Sequence, residues 1–447
     1  MPIDSTNITT DEYDVNLGYH PSSPPLDIRL GIPTPPFHNQ PPLRWGILAT
    51  GKVAHDFVQA LKFLPRHKIN AVGSRTLVRA NWFASVHNIP TTYGSYEELC
   101  QDPYVDIVYV ASLHPDHKDH AVMALKHGKH VLVEKPMTTR VEDAELLYEM
   151  GREKNLFVGE GMWTRFFPAV EWTRYHLGRV DREGYSEYST AVYSDYSKDV
   201  SVQDTIGDVR VVQADFSIDG QDVGPYPSDS LYSKELGGGS AWTLLPYIVS
   251  ASMLPFGGKG PDRIVANGIN PDDDAVGDLA IGMTMTFTID NDEQQQQQQK
   301  QKKKQENPPP PTNKAIASGV VGYLAESSEI TTYAGKKGRI IVNTPAHCPT
   351  SATMIQKSVG FRGGITNKDS WHHPNTDRVE FPLPLPTQEI NDSFGFKMPN
   401  SMGFIYEAEA VRRLINAKYY TFPQWTPEES VNCIRCIEKV LDQIESA

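Results

Sequence analysis

The run Ala49-Thr50-Gly51-Lys52-Val53-Ala54 has the A-x-G-x-x-A form that can cradle a pyrophosphate. Gly51 lets the backbone approach the anion, Ala54 is small enough for a helix to pack closely on its strand, and the free N–H groups of a helix N-terminus face the phosphates. The run is short enough to be a plain turn; its place between an apolar strand and a helix is what marks it as a phosphate loop. A site for NAD would put Asp or Glu roughly 20 residues further on, to bond the ribose hydroxyls. This chain has Gly73-Ser74-Arg75-Thr76 there, with Arg79 one helical turn later. A hydroxyl and two permanently charged, forked guanidiniums suit a 2′-phosphate, although two solvated helix arginines would read the same. The expected cofactor is therefore NADP, bound by Gly51, Lys52, Ser74, Arg75 and Arg79.

Other reactive residues carry less. His114 and His117 stand at i and i+3, but no third ligand is spaced to join them, so no metal is expected. Cys433 and Cys436 form a C-x-x-C inside a helical run, Glu428 to Ile444, and read as packing residues, with a redox or metal role as the alternative. With Cys100 and Cys348 they are too few and too scattered for a disulfide framework, which fits a reducing compartment.

The elements that must position these groups come in two styles. Short, wholly apolar strands (Arg44 to Ala49, Lys68 to Gly73, Asp106 to Ala111, His130 to Val133, Leu156 to Gly159) alternate with helical runs (Val53 to Leu64, Leu77 to His87, His117 to His127, Thr139 to Glu153). That pattern predicts a parallel sheet covered on both faces, with ligands at the carboxyl ends of its strands. From about Arg210 the strands lengthen and alternate (VRVVQADFSID, DLAIGMTMTFTID, SGVVGYLA, EITTYAG, GRIIVN). They predict a mainly antiparallel sheet with helices on one face and the other free. Two late helices, Ser401 to Ile415 and Thr426 to Ile444, are amphipathic; the second opens with Thr426 as cap, Pro427 in the first turn and Glu429 three residues on.

Length and composition bound the rest. The 447 residues allow two or three domains, and the net charge of −13 argues against a duplex nucleic-acid partner. Nine of the 34 prolines fall within residues 1–42, which read as a disordered or surface-draped tail. Residues 290–312, with six consecutive glutamines, a Lys-rich patch and four prolines, read as a polar loop between strands, and 181–205 as a further insertion. No stretch reaches the roughly 18 apolar residues of a membrane span, and the acidic N-terminus carries no export pattern. The chain reads as cytoplasmic, with no membrane partner.

Several motifs together give a resemblance: LRWGI (43–47), YGSYEEL (93–99), HPDHK (114–118), VEKP (133–136) and WTRFFP (163–168). The chain resembles the Gfo/Idh/MocA oxidoreductases, and within them the dimeric dihydrodiol dehydrogenases and NADP-dependent D-xylose 1-dehydrogenases. The match is dense over 43–170 and thins beyond. It implies an NADP-binding Rossmann domain over 43–165, doubly wound, followed over 166–447 by an α+β substrate and dimerisation domain with a large open sheet. It also implies hydride transfer between a sugar or diol carbon and nicotinamide, on an aldose such as D-xylose or a trans-dihydrodiol, in a homodimer. The proton on the substrate hydroxyl then needs a general acid/base. In these relatives that group is a Tyr eight residues after a G-G-G, beside the Lys of E-K-P, which here gives Tyr247 and Lys135. A neighbouring ammonium is expected to lower the phenol pKa. The resemblance further assigns Glu134, Pro136, His114 and His117 to the cofactor side of the site, with capping or surface roles as the alternative for the two histidines, and sets Trp163 and Arg165 at the domain junction, in contact with cofactor or substrate or else in junction packing.

The sequence departs from the pattern at two positions after the G-G-G. Thr243 stands in place of an Asp and Leu245 in place of a Gly, both on the helix face expected to meet substrate. A Thr can hydrogen-bond a hydroxyl but cannot hold it by charge. The departure predicts weak turnover on the family's usual substrates and keeps open a second reading, a nucleotide-binding regulator without turnover.

Overall fold

Strands that are apolar on both sides can be buried only in a sheet covered on both faces, and the first half of the chain builds one. The computed structural model describes residues 41–64, 66–178, 205–289, 313–356, 375–383 and 395–446. Apart from Pro41, Pro42 and Thr205, the expected tail 1–42, the insertion 181–205 and the glutamine loop 290–312 lie outside the described residues. Strands β1 (Leu43–Leu48), β2 (His67–Gly73), β3 (Thr91–Tyr93), β4 (Ile107–Val110), β5 (His130–Glu134) and β6 (Val158–Gly161) form a parallel sheet in the order β3-β2-β1-β4-β5-β6. Between them run α1 (Lys52–Leu61), α2 (Leu77–His87), α3 (Tyr96–Gln101), α4 (His117–Lys126) and α5 (Val141–Lys154). Along β4 the side chains alternate between two cores, Ile107 and Tyr109 in one and Val108 and Val110 in the other. The order reverses at β1, with β2 on one side and β4 on the other, which opens the ligand crevice at their carboxyl ends. The short elements β3 and α3 give no periodic signal in the sequence; α3 is started instead by a Ser95 cap that accepts from the Glu98 N–H at 3.2 Å.

After α6 (Pro168–His176) the chain forms an eight-stranded sheet from β7 (Val209–Ser217), β8 (Arg263–Ile269), β9 (Ala280–Thr288), β10 (Lys314–Gly322), β11 (Thr331–Gly335), β12 (Gly338–Val342), β13 (Ser351–Gln356) and β14 (Asn375–Glu380). Its order is β14-β13-β12-β11-β7-β10-β9-β8, antiparallel throughout except for the β7 and β10 pair. Helices α6, α7 (Leu245–Met253) and α9 (Pro427–Glu445) pack on one face. The other face bears exposed Val211, Val265, Ile316 and Val320.

The C-terminal helices tie this unit back to the first. Helix α8 (Phe404–Asn416) lies on α1. Beside it, the buried Asp56 of α1 accepts from the backbone N–H groups of Lys397 (2.9 Å) and Met398 (2.9 Å) and from the Ser401 hydroxyl (2.6 Å). Buried Glu409 of α8 accepts from Arg412 and Arg413 and meets His67 Nε2 at 3.1 Å. Helix α9 begins with the expected capping box, Thr426 and Glu429 bonding each other's backbone N–H, and packs against α5, α7 and β8. Cys433 and Cys436 on α9 are buried free thiols. No helix of the described residues is long and apolar enough to cross a membrane.

Candidate active site

The phosphate loop follows β1. Ala49 takes a left-handed conformation (φ 79°), turning the chain toward α1. Gly51 is the N-cap of α1, where no side chain caps the first-turn N–H groups and no acidic residue occupies the first turn. A Cβ placed on Gly51 would meet nothing within 4 Å, so the backbone faces open space into which a phosphate can come. Arg79 Nε donates to Thr50 Oγ1 at 3.2 Å, which draws this guanidinium from α2 to the loop. Ser74 is buried at the end of β2, its N–H on the Tyr93 carbonyl, and Arg75 follows, exposed, at the same end of the sheet. Lys52 points the other way, its Nζ 3.3 Å from the Val223 carbonyl. Loop, Ser74, Arg75 and Arg79 thus converge at the carboxyl ends of β1 and β2 and fit a dinucleotide with its adenosine end over β2.

The E-K-P turn lies at the end of β5. Tyr109 donates from its hydroxyl to Glu134 Oε1, and the Lys135 N–H faces Glu134 Oε2 at 3.3 Å. Burial raises the Glu134 carboxyl to about 7. The ring nitrogens of His117 meet the Pro136 carbonyl (2.9 Å) and the Ser112 carbonyl (3.1 Å), with burial pushing its pKa down to about 4. His114 Nδ1 meets the Gly237 carbonyl at 2.9 Å, and burial pushes it to about 3. His117 therefore links the E-K-P turn, through Nδ1, to the loop after β4, through Nε2, whereas His114 joins the two domains. Behind the turn, Glu160 accepts from the Met137 N–H and from Trp425 Nε1.

Three glycines bring the second domain into this crevice. Gly237 (φ 75°) packs so closely that a Cβ would lie 2.8 Å from Pro115 Cδ and 2.9 Å from His114 Cβ. At Gly239 (φ 104°) a Cβ would lie 2.6 Å from Asp278 Oδ1. Asp278 in turn anchors the single helical turn Ser240–Thr243, accepting from the Ser240 hydroxyl and the Ala241 N–H. The helix then breaks, since Pro246 has no N–H to donate and the Tyr247 N–H bonds the Leu244 carbonyl three residues back at 3.1 Å. The Thr243 carbonyl is left over from the helical ladder, and Lys135 Nζ donates to it at 2.6 Å.

This geometry places Lys135 Nζ 4.7 Å over the Tyr247 ring, and the Tyr247 hydroxyl accepts from Trp163 Nε1 at 3.2 Å. It corrects the expected ionisation. The ammonium sits over the ring face and not beside the oxygen, and burial, with Glu134 nearby, raises the Tyr247 phenol well above 10. Burial also lowers Lys135 to about 8, with Glu134 and Glu160 acting against it. Leu245 is buried in the core. Thr243 contributes its backbone carbonyl.

Arg165 takes the junction-packing role of its two expected ones. Its guanidinium donates to Ser250 Oγ (2.7 Å) and the Ser250 carbonyl (2.8 Å), pairs with Glu429 at 3.1 Å, and stacks 4.7 Å over Trp425. Each of its three nitrogens thus bonds α7, α9 or, at 3.4 Å, the Gln424 carbonyl just before α9, so it clamps the junction. One group at the site has no signature in the sequence: His347, in the loop between β12 and β13. Its ring lies 5.5 Å from that of Tyr247 and 6.0 Å from that of Trp163, and it stacks on Phe216. Its position depends on sheet pairing alone, and no spacing or motif points to it.

Comparisons with known proteins agree with this construction. Residues 43–162 match the family described as "Oxidoreductase family, NAD-binding Rossmann fold" (GFO_IDH_MocA). A pig (Sus scrofa) protein named trans-1,2-dihydrobenzene-1,2-diol dehydrogenase is 30% identical over 407 residues, covering 89% of this chain and 96% of that one. Among solved structures, the 3-ketoreductase KijD10 of Actinomadura kijaniata, in complex with NADP, aligns over 90% of this chain and 98% of its own with a TM-score of 0.61 at 20% identity. A levoglucosan dehydrogenase in complex with NADH and levoglucosan aligns over 90% and 97% with a TM-score of 0.65 at 13% identity. At these identities the two structures bear on the fold alone.

Proposed function

Because this chain belongs to the Gfo/Idh/MocA oxidoreductase family, we propose that it is an NADP-dependent dehydrogenase that oxidises a secondary CH–OH flanked by a second hydroxyl. The trans-dihydrodiol in the relatives' name is the first candidate substrate. D-xylose is the second, since its anomeric and adjacent hydroxyls form the same kind of vicinal pair. The observation that carries the reading is the meeting of Lys135 from the first domain with Thr243 and Tyr247 from the second. The bound nicotinamide would supply the hydride acceptor; the chain's own residues handle the proton.

In the unliganded protein the Tyr247 phenol is neutral, held by the Trp163 N–H. A neutral phenol can give its proton to a substrate carbonyl in the reductive direction. In the oxidative direction it accepts the hydroxyl proton once it has itself been deprotonated, a loss that burial opposes and the Trp163 N–H at its oxygen favours. Thr243 is what favours a silent regulator; against that reading stands the Lys135 and Tyr247 pair, which the backbone carbonyl of residue 243 holds together whatever its side chain. Arg75, Arg79 and Ser74 support the preference for NADP, since they gather at the carboxyl end of β2 and their cationic and hydroxyl groups suit a 2′-phosphate. The exposed valines and isoleucine on the free face of the second sheet support a homodimer formed through that face.

The test is purified protein mixed with NADP or NAD and a panel of diols, aldoses and simple alcohols, read at the nicotinamide absorbance. Reduction of NADP on a vicinal diol or aldose is the expected result. Tight NADP binding without reduction on any member of the panel overturns the dehydrogenase reading in favour of the regulator.

A further inference from the structure

His347 is immobilised from several sides. Its Nδ1 lies 2.5 Å from Glu329 Oε1, its ring stacks on Phe216 with centroids 4.4 Å apart at 12°, and its carbonyl accepts from the Thr164 hydroxyl. Glu329 is itself held in a left-handed conformation (φ 53°) that is unfavourable for a residue with a side chain. The surroundings hold it there: the Glu329 N–H bonds Asp215 Oδ2 at 2.6 Å, and the Ala346 N–H bonds the Glu329 carbonyl at 2.9 Å. A carboxylate on Nδ1 keeps the proton on that nitrogen and presents Nε2 as an acceptor. Among the described residues Nε2 meets only the Cys348 sulfur, at 3.3 Å, a thiol that burial keeps protonated, that also lies 3.5 Å from the Pro399 carbonyl and that is a weak donor. A hydroxyl would outcompete it.

The imidazole and the Tyr247 ring, 5.5 Å apart, border one cavity of about 30 Å³. One water needs about 10–15 Å³ of such space, so the cavity has room for a water or two, or for a hydroxyl group, rather than for a carbocycle. Strain held at Glu329, a fixed tautomer and a hydroxyl-sized space beside Tyr247 are more than packing requires.

We propose that His347, oriented by Glu329, accepts a hydrogen bond from the second, non-reacting hydroxyl of a vicinal diol whose first hydroxyl meets Tyr247. The inference rests on the dehydrogenase reading for the placement of the first hydroxyl, and makes His347 the residue that distinguishes a diol from a simple alcohol. The test avoids turnover. The protein is saturated with NADPH, which cannot accept a hydride, and binding of trans-cyclohexane-1,2-diol and of cyclohexanol is measured by calorimetry. Wild-type protein should bind the diol more tightly. His347→Leu, similar in size but unable to accept a hydrogen bond, should lose that preference about tenfold, with NADPH affinity unchanged. Glu329→Gln, which keeps the side chain's shape, should lose part of it and carries the test should His347→Leu fail to fold. An unchanged ratio of the two affinities in the variants, or no preference for the diol in the wild type, overturns the inference. Absence of turnover with an intact diol preference would instead count against the dehydrogenase reading alone.

Discussion

Replacing Arg165 by Met separates a structural clamp from a cofactor contact. The guanidinium is 2% exposed and joins Ser250 on α7 to Glu429 and Trp425 at the start of α9. Met keeps most of the apolar stem, so the change removes the charge and its donors with little loss of volume. The Glu429 carboxylate, 8% exposed, is then left without its cation. Breaking a buried pair from one side costs about 3–5 kcal/mol, because the remaining charge stays desolvated. The lost stack on Trp425 is part of that figure and is not added to it. Urea unfolding followed by tryptophan fluorescence should therefore show Arg165→Met destabilised by about 3–5 kcal/mol. Glu429→Gln keeps the capping box, since Gln serves at that position as Glu does, and in combination with Arg165→Met should recover about 1–3 kcal/mol. NADP affinity of the folded variant, measured by fluorescence quenching, should stay within about threefold of wild type, a change below 1 kcal/mol. A variant of wild-type stability whose NADP affinity collapses would refute the clamp and return Arg165 to the cofactor site.

Arg75→Asp should weaken NADP far more than NAD in equilibrium titrations, since a carboxylate there repels the 2′-phosphate and can bond a ribose hydroxyl; equal losses would remove the 2′-phosphate argument. Tyr247→Phe should lower kcat by about 10²- to 10⁴-fold with cofactor affinity unchanged, and an active Phe variant would show that the proton goes elsewhere. Ala49→Gly relieves a left-handed residue and should raise stability by about 1 kcal/mol in urea unfolding; a loss would mean that the Ala49 methyl packs usefully. Although burial opposes it, the bonds from Arg412 and His67 hold Glu409 down at about 2. Between about 4.5 and 2 the unfolded chain therefore binds more protons there, so the stability owed to Glu409 is complete above 4.5 and is lost as pH falls through that window. Glu409→Gln should flatten the acid limb of a stability-against-pH curve.

Much of the first domain is legible in its residues. The apolar strands at 68–73, 106–111 and 130–133 and the helices between them come within one or two residues of the structure, because burial on both faces makes the strand centres largely apolar. β3 and α3 escape because three and six residues are too few to show a period. The phosphate loop, the Arg75 and Arg79 pair and the Tyr247 offset are also visible, since each depends on short spacings along the chain.

What the sequence determined by itself was local: which segments are strand or helix, where a phosphate can approach a helix end, and which kinds of group stand ready for a proton. Which group meets which was decided by tertiary structure, because residues far apart in the chain come together only when the sheets pair and the domains dock. Thr243 is the clearest instance. Judged by its side chain it looks like a lost acid, yet the helix break at Pro246 frees its carbonyl for an ammonium 108 residues earlier in the chain. Arg165 and His347 follow the same logic in opposite directions. The first is drawn away from the cofactor by partners on α7 and α9, and the second is carried to Tyr247 by the pairing of the second sheet. Sequence spacing encodes bonds within a turn or two of chain, whereas ion pairs, ring stacks and buried acceptors depend on distances in space, and only the packed core sets those.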